Sequence, residues 1–590
     1  MRTSIATVSL SGSLVEKLHA CAAAGFDGVE IFEPDLIAGD HSPEEIRALA
    51  ARLGLSLDLY QPLRDLEGVD ETAFADNLRR AGATFATARR LGIDTVLVCS
   101  NVATATVDDD EVSADQLRRI GELAASYGIR IAFEALAWGR FVDDYRRAWR
   151  IVQLADHPAV GVCLDSFHIL SRGHDPAGIE DIPGEKVFYL QLADAPALQM
   201  DVLSWSRHHR LFPGEGAFDL TGFVRHVLAA GYDGPLSLEI FNDTFRQTDP
   251  QRTAVHALRS LLWLQDELHL IDIPDAKPPN GFDFVEIKAE DTSEVEVLLT
   301  QLGFTPRGRH RSKPVSLWCA GRARVVLNEQ QARDQLPHVA AIGLQVPDAE
   351  ATSGRATALM APTTYRRTYA AEQPFGATTA PGGTEFFWTS EPAWVGEFRD
   401  GMPQGPSPVH GIDHINLSQP WQTAQDAVLF LASVFGLHAE PPTEVPGPTG
   451  LIRSQVLRTG GAVRIPLNVA PHALDTADLP QHVAFGCDDV VAVARAARAA
   501  GLAFLPIPDN YYDYLSGRFG LADEYVAELR ALDLLYDRNG TGHFVHFYTR
   551  TVGSVFFEFV QRFDGYDGYG VDNSPVRLAA QRGLVGTVRT

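Results

Sequence analysis

Only five cysteines occur in the 590 residues (Cys21, Cys99, Cys163, Cys319 and Cys487), and none stand at metal-type spacing. That scarcity excludes a disulfide scaffold and fits reduced core residues of a cytoplasmic protein. Positive charge is also short. The 50 Lys and Arg stand against 76 Asp and Glu, a formal net charge of −26. No cationic excess is left for a phosphate backbone, so nucleic acid is excluded as a partner. A few local arginines can still hold a small carboxylate. No apolar run reaches the roughly 18 residues of a membrane span, and no charged-then-apolar leader opens the chain, so no membrane partner is expected. What remains is ordinary for a globular protein, with 45% hydrophobic and 21% charged residues. The length exceeds one core, and two to four domains are expected. The expected partner is a small molecule, with self-association into a homo-oligomer left open.

Residues 1–270 alternate apolar strand runs with amphipathic helical stretches such as SLVEKLHACAAAGF and SPEEIRALAARLG, most closed by a glycine turn. Strands are expected at about 3–9, 28–33, 55–61, 95–100, 130–136, 160–167, 187–193 and 235–241. Eight strand-then-helix units of this size predict a (β/α)8 TIM barrel of the α/β class. A doubly wound open sheet is the competing fold, and the lack of a Gly-rich phosphate loop after the first strand counts against it. The Pro- and Gly-containing break HLIDIPDAKPPNG (269–281) marks a linker, drawn at 271–281.

Four strand runs in the first part end in an oxygen-bearing side chain: Glu134 in IAFEALAW, Asp165 in VGVCLDSFH, Gln191 in VFYLQLAD and Glu239 in PLSLEIFND. The C-terminal strand ends of a barrel form the floor of its active site. Three carboxylates and an amide converging there would repel one another without a cation. Such a set suits a hard divalent ion, Mg2+ or Mn2+. The bland alternative is a buried hydrogen-bond network without metal. His168, three residues after Asp165, is the first choice for proton transfer. His208 and His209, in the loop after strand seven, are a second choice for the catalytic histidine, with a solvated tandem as the alternative. Arg64 and Arg210 are candidates for bidentate pairing with a substrate carboxylate. Glu30 and Glu33 both approach the barrel mouth, and strand alternation lets at most one enter it.

After the linker the pattern changes to an internal duplication. GFDFVEIKAEDTSEVEVLLTQLGF (281–304) parallels GIDHINLSQPWQTAQDAVLFLASVFG (411–436), HVAAIGLQV (338–346) parallels QHVAFGCDDV (481–490), and TEFFWTS (384–390) parallels SVFFEFVQR (554–562). The halves are drawn at 282–400 and 401–590, each a βαβββ unit, with 352–383 read as an insertion or loop. In the second half His414, His482 and Glu558 fall on strand patterns. Two histidines and a carboxylate make a facial triad of the kind that binds non-haem Fe2+. The first half carries Phe284, Val339 and Trp388 opposite them in this alignment, so one copy has ligands and the other an apolar set.

The first 270 residues resemble the sugar-phosphate isomerase/epimerase-like barrels, relatives of xylose isomerase. FEALAWGRFVDDY, LDSFHIL, QLADAP and FPGEGAFDL, together with the duplicated module behind them, resemble the fused bacterial 3-dehydroshikimate dehydratases. That resemblance implies a carbon–oxygen lyase forming protocatechuate in quinate and shikimate catabolism, with Mg2+, Mn2+ or Co2+ on Glu134, Asp165, Gln191 and Glu239. DNYYDYL (509–515), LLYDRNGTGHFVHFYT (534–549) and FFEFVQRFDGYDGYG (556–570) resemble 4-hydroxyphenylpyruvate dioxygenase, of the α+β vicinal-oxygen-chelate fold. That resemblance implies iron at His414, His482 and Glu558. Two departures stand out: His546 where those dioxygenases usually carry Gln, and DNSPVRLAAQRG (572–583) in place of their closing segment and gating helix. The competing functions are a sugar or cyclitol isomerase or epimerase on the barrel, an α-keto-acid-dependent aromatic dioxygenase carried by a structural barrel, and a module that is only structural or regulatory.

Overall fold

The computed structural model describes residues 1–366, 368–448, 450–469 and 480–588. The chain divides into two compact units, Met1–Asp272 and Ile273–Thr590.

In the first unit eight parallel strands close into a barrel in chain order: β1 (Thr3–Ala6), β2 (Gly28–Phe32), β3 (Ser56–Arg64), β4 (Thr95–Cys99), β5 (Arg130–Glu134), β6 (Val160–Asp165), β7 (Val187–Leu192) and β8 (Leu236–Leu238). All eight expected strands are present, most of them shorter than their apolar runs. Most of the helices between them start on side-chain caps. Ser13 and Glu16 form a reciprocal capping box at Leu14–Ala24, and Ser42 and Glu45 do the same at Pro43–Leu53. The first of these ends on Gly25 at φ 103°, a left-handed turn that a side chain would strain. Leu59, Leu97, Ala132, Cys163, Phe188 and Tyr189 pack inside the barrel. Each fully buried large apolar side chain there contributes about 1.5–3 kcal/mol. This layer supports the polar floor above it. All five cysteines are buried free thiols.

No regular element lies between the helix ending at Glu267 and the strand starting at Gly281. The second unit holds two sheets. The first contains β9 (Gly281–Lys288), β10 (Thr305–His310), β11 (Val315–Ala320), β12 (Ala323–Asn328), β13 (His338–Gln345), β14 (Gly376–Thr379), β15 (Glu385–Thr389) and β16 (Phe398–Asp400). The second contains β17 (Val409–Gln419), β18 (His438–Ala439), β19 (Thr443–Gly447), β20 (Gly450–Arg458), β21 (Arg464–Val469), β22 (Gln481–Cys487), β23 (Leu535–Asn539), β24 (Gly542–Tyr548) and β25 (Val555–Phe563). The stretch 352–383 is not wholly a loop, because the helix Ala349–Ala358 and β14 enter it. The helix Ser574–Val588 forms where the sequence departs from the dioxygenase pattern.

Strand register corrects the alignment of the two halves. β17 pairs β22 with His414 opposite Ala484 and Asn416 opposite His482, and β25 places Glu558 beside Ala484. In the first sheet Phe284 lies opposite Gly343, Glu286 opposite Ala341, and Phe387 beside Gly343. The counterparts of His414, His482 and Glu558 are therefore Phe284, Ala341 and Phe387. Trp388 points to the other face, donating from Nε1 to Ser353 Oγ at 3.1 Å. A one-residue slip along a strand exchanges its faces. The three counterparts share one apolar cluster, so the conclusion of a ligand-free first half stands on different residues.

Candidate active site and metal centres

The barrel register sets neighbouring strand ends level: Cys99 beside Glu134, and Asp165 beside Gln191. Glu239 stands one residue beyond β8, its backbone N–H donating to Leu192 O at 3.2 Å. Glu134, Asp165, Gln191 and Glu239 are each no more than 5% exposed.

Hydrogen bonds aim these side chains. Asp165 Oδ1 accepts from the backbone N–H groups of Phe167 and His168 at 2.6 and 3.2 Å. Gln191 donates Nε2 to Glu30 Oε2 at 2.7 Å, which turns its carbonyl oxygen away from Glu30, where it accepts from Cys163 Sγ at 3.5 Å and keeps a lone pair for the cage. Gln61 Nε2 bridges Glu30 Oε2 at 3.0 Å and Glu239 Oε1 at 2.8 Å. Glu30 thus reaches the floor, whereas Glu33 accepts from Tyr60 OH instead. Arg210 is 1% exposed, and its Nη1 donates to Asp165 Oδ2 at 2.8 Å and to Glu239 Oε2 at 3.0 Å.

Arg210 bonds Asp165 and Glu239 and leaves Glu134 without an ion pair to a guanidinium. Burial, with repulsion from Asp165 and Glu239, pushes the Glu134 carboxyl well above the usual range. Burial raises Glu239 too, offset in part by Arg210. At Asp165 burial also opposes ionisation, but Arg210 and His168 outweigh it and hold the group below its ordinary value. Glu134 Oε1 is buried without a hydrogen-bond partner. An orphaned, repelled oxygen among carboxylates is the condition a cation relieves, so the residues fit a divalent ion.

His168 lies 3.8 Å from Asp165 Oδ2 and 3.9 Å from Glu134 Oε1, and these three form a potential metal-holding group. Burial pushes its pKa down to about 3, so the ring is neutral. Nδ1 accepts from the Ala137 N–H at 3.0 Å, while Nε2 lies 3.2 Å from Arg210 Nη2, so both ring nitrogens face donors. Trp138 packs edge-on at 5.0 Å.

The arginine and loop histidine expectations divide. Arg64 lines the pocket beside Glu134, His168 and Glu239, with Nε unpartnered. Arg210 is instead spent on Asp165, Glu239, His168 and Ser206. Its guanidinium braces the cage and has little left for a substrate carboxylate. Arg207 takes the open place in the same pocket. His208 is exposed and pairs with Asp243 at 3.0 Å, away from the cage. His209 is exposed as well. The sequence reading missed Gln61 and Arg207. Gln61 carried the same signal as the four ligands, a polar side chain in an apolar strand run. Arg207 carried none.

In the second unit three donors form a near-equilateral triangle. His414 Nε2 lies 3.1 Å from Glu558 Oε2 and 3.2 Å from His482 Nε2, and His482 Nε2 lies 3.2 Å from Glu558 Oε2. Bonds of about 2.1–2.2 Å at right angles put adjacent donors roughly 3.0–3.1 Å apart, so the triangle fits one face of a metal ion. His414 donates Nδ1–H to Asp413 at 2.8 Å, and Arg562 pins that carboxylate with two bonds. Asn573 Nδ2 donates to His546 Nε2 at 2.9 Å, so His546 Nδ1 carries the proton given to Glu558 Oε1 at 2.6 Å. Both arrangements fix a ligand through its second atom. Burial opposes protonation of His414, but Glu558 and Asp413 outweigh it and raise the pKa to about 9. Burial pushes His482 down to about 4.

His310, Glu372 and Glu397 form a third cluster, in the first half. Its carboxylates are already engaged: Glu372 by Lys313 at 2.8 Å, and Glu397 by His310 at 2.9 Å and the Gln373 N–H at 2.6 Å.

Residues 18–266 match the xylose isomerase-like TIM barrel family, and residues 277–389 match the N-terminal domain of hydroxyphenylpyruvate dioxygenase. The 3-dehydroshikimate dehydratase of Pseudomonas putida is 41% identical, and that of Pseudomonas aeruginosa 42%, each over 98% of both chains. A solved xylose isomerase-like TIM barrel/4-hydroxyphenylpyruvate dioxygenase fusion protein superposes with a TM-score of 0.91 at 40% identity, covering 99% of both chains. With the same two-part architecture and this identity from end to end, the chain belongs to the family of fused 3-dehydroshikimate dehydratases.

Proposed function

We propose that this chain removes water from 3-dehydroshikimate at the barrel mouth to give protocatechuate. The observation that carries the reading is the cage of Glu134, Asp165, Gln191 and Glu239, set at the ends of β5 to β8 in a chain 41–42% identical to dehydratases of that name. The reaction breaks the carbon–hydrogen bond α to the ketone and the carbon–oxygen bond of the β-hydroxyl, and a tautomerisation then makes the ring aromatic.

These four side chains would hold a divalent cation such as Mg2+, Mn2+ or Co2+, which supplies charge stabilisation to the ketone oxygen as the enolate develops. Arg64 and Arg207 line the pocket and are suited to pair with the substrate carboxylate. His168, in the same pocket, is the side chain suited to take up the α-proton as the enolate forms and to return it to the departing hydroxyl, which leaves as water. Arg210 keeps Asp165 and Glu239 together through the cycle.

In the second unit His414, His482 and Glu558 would hold a second divalent ion, with Fe2+ the leading candidate. Retained dioxygenase chemistry is the second reading for that unit, favoured by the second-atom hydrogen bonds that fix His414 and Glu558. The test of the main reading is protein incubated with 3-dehydroshikimate and each metal in turn, watching catechol absorbance. His168→Asn should lower kcat by about 10²–10⁴-fold with little change in KM. Arg64→Ala should act mainly on KM. No product with any metal would refute the reading.

A further inference from the structure

The pocket of the second unit contains a charge that the His414, His482 and Glu558 triangle does not need. Arg577, on the helix Ser574–Val588, lines the same cavity as His414 and His482. The residue is 5% exposed, and its Nε is buried with no hydrogen-bond partner. Nη1 donates to Gln581 at 2.9 Å, one turn along the same helix. The guanidinium carbon lies 5.8 Å from the Tyr548 ring centre and 5.5 Å from that of Phe556. No Asp or Glu is among the described residues lining this cavity, in a chain of net charge −26. Tyr569 OH, on the same wall, is likewise buried without a partner.

A buried arginine with an unused N–H and no opposing carboxylate calls for an anion from outside. The facial triangle leaves neighbouring positions open on its ion, which suit two vicinal oxygens of one ligand. The combined demand is a small ring that carries a vicinal oxygen pair and, elsewhere on it, a carboxylate. Asn416, Asn468 and Ser454 offer further polar edges, and Val456, Pro466 and Leu578 offer apolar walls for the ring. The product assigned to the barrel has this shape: a catechol with a carboxylate.

We propose that the second unit binds the dehydratase's own product class, a carboxylated catechol. Its two hydroxyl oxygens face the ion of His414, His482 and Glu558, and its carboxylate pairs with Arg577. The choice of ligand rests on the reading of the barrel as a 3-dehydroshikimate dehydratase; the demand for a chelating carboxylate rests on Arg577 and the triangle alone.

The test is calorimetric titration of the full chain, loaded with Zn2+ and carrying Glu134→Ala with Arg64→Ala and Arg207→Ala, which take a cation donor and both pocket arginines out of the barrel. Protocatechuate should bind at one equivalent. Catechol, without the carboxylate, and 4-hydroxybenzoate, without the vicinal pair, should each bind at least about tenfold more weakly. Arg577→Gln should bring protocatechuate down to the level of catechol and leave catechol unchanged, and metal removal should abolish binding of both. Protocatechuate binding that is unaltered by Arg577→Gln, or that persists without metal, overturns the proposal. If Arg577→Gln loses its metal or unfolds, Arg577→Met decides: loss of the preference for protocatechuate over catechol in a folded, metal-loaded protein supports the proposal, and a retained preference overturns it. Binding is read without turnover, so failure to dehydrate 3-dehydroshikimate would be seen separately.

Discussion

Glu30 touches no expected ligand atom, yet the structure makes it the residue that turns Gln191 the right way round. Gln191 can offer the cage either its oxygen or its NH2 group, and only the oxygen binds a cation. The bond from Nε2 to Glu30 Oε2 at 2.7 Å makes that choice, in a site where both residues are 0% exposed. Glu30→Leu removes the acceptor. Gln61 keeps its bond to Glu239 at 2.8 Å, so the loss falls on Gln191 and on Ser237, whose Oγ donates to Glu30 Oε1. A buried donor left unsatisfied costs about 1–3 kcal/mol. An amide that flips to satisfy itself points its NH2 into the cage instead. Either way the cost appears in metal affinity, and removal of such a supporting partner costs about 10- to 100-fold. The assay is calorimetric titration of metal-stripped protein with Mn2+, with circular dichroism as the fold control. Glu30→Gln keeps an acceptor oxygen and should fall between wild type and Glu30→Leu. A folded Glu30→Leu protein that binds Mn2+ within about twofold of wild type would refute the reasoning.

Further outcomes are expected elsewhere. Glu134→Ala should abolish dehydration while leaving the circular dichroism spectrum unchanged, because the side chain caps a strand without carrying the barrel core. Burial raises the pKa of Glu67 from 4.5 to about 7. The folded state therefore holds this proton more tightly than the unfolded state, so the contribution is full below about 4.5 and lost as pH rises through about 7. The loss is about 3 kcal/mol, and denaturant titrations of Glu67→Gln across that window should show a flatter profile. Phe387→Ala, at a side chain 0% exposed, should cost about 3–5 kcal/mol in chemical unfolding of the second unit. An effect below 1 kcal/mol would contradict the register that places it inside.

Much of this was legible in the sequence because parallel barrel strands are buried on both faces. Their apolar runs stand out, and a lone polar residue closing one is conspicuous. That rule found Glu134, Asp165, Gln191 and Glu239, and applied to β2 and β3 it leads equally to Glu30 and Gln61. Arg210 was found as a residue but given to the substrate, because one letter does not say that a guanidinium is already shared between Asp165 and Glu239. Arg207 was invisible, since an exposed arginine in a helical loop has no pattern. In the duplicated half the repeat was plain, but matching FFW to FFE by letters slid the alignment by one. Strand parity, set by the pairing of Gly343 with Phe387 and of Ala484 with Glu558, assigns the inward face to Phe387. Chelating side-chain geometry at His414, His482 and Glu558 follows from the same parity.

The most direct measurement is the dehydration rate of chelator-stripped protein on 3-dehydroshikimate, followed by catechol absorbance before and after Mg2+, Mn2+ or Co2+ is added, with Asp165→Asn alongside. A rate that vanishes on stripping, returns with metal in the wild type and fails to return in Asp165→Asn is the predicted result. Full activity in the stripped protein, or full rescue of Asp165→Asn, would contradict a cation held by the carboxylates at the barrel mouth.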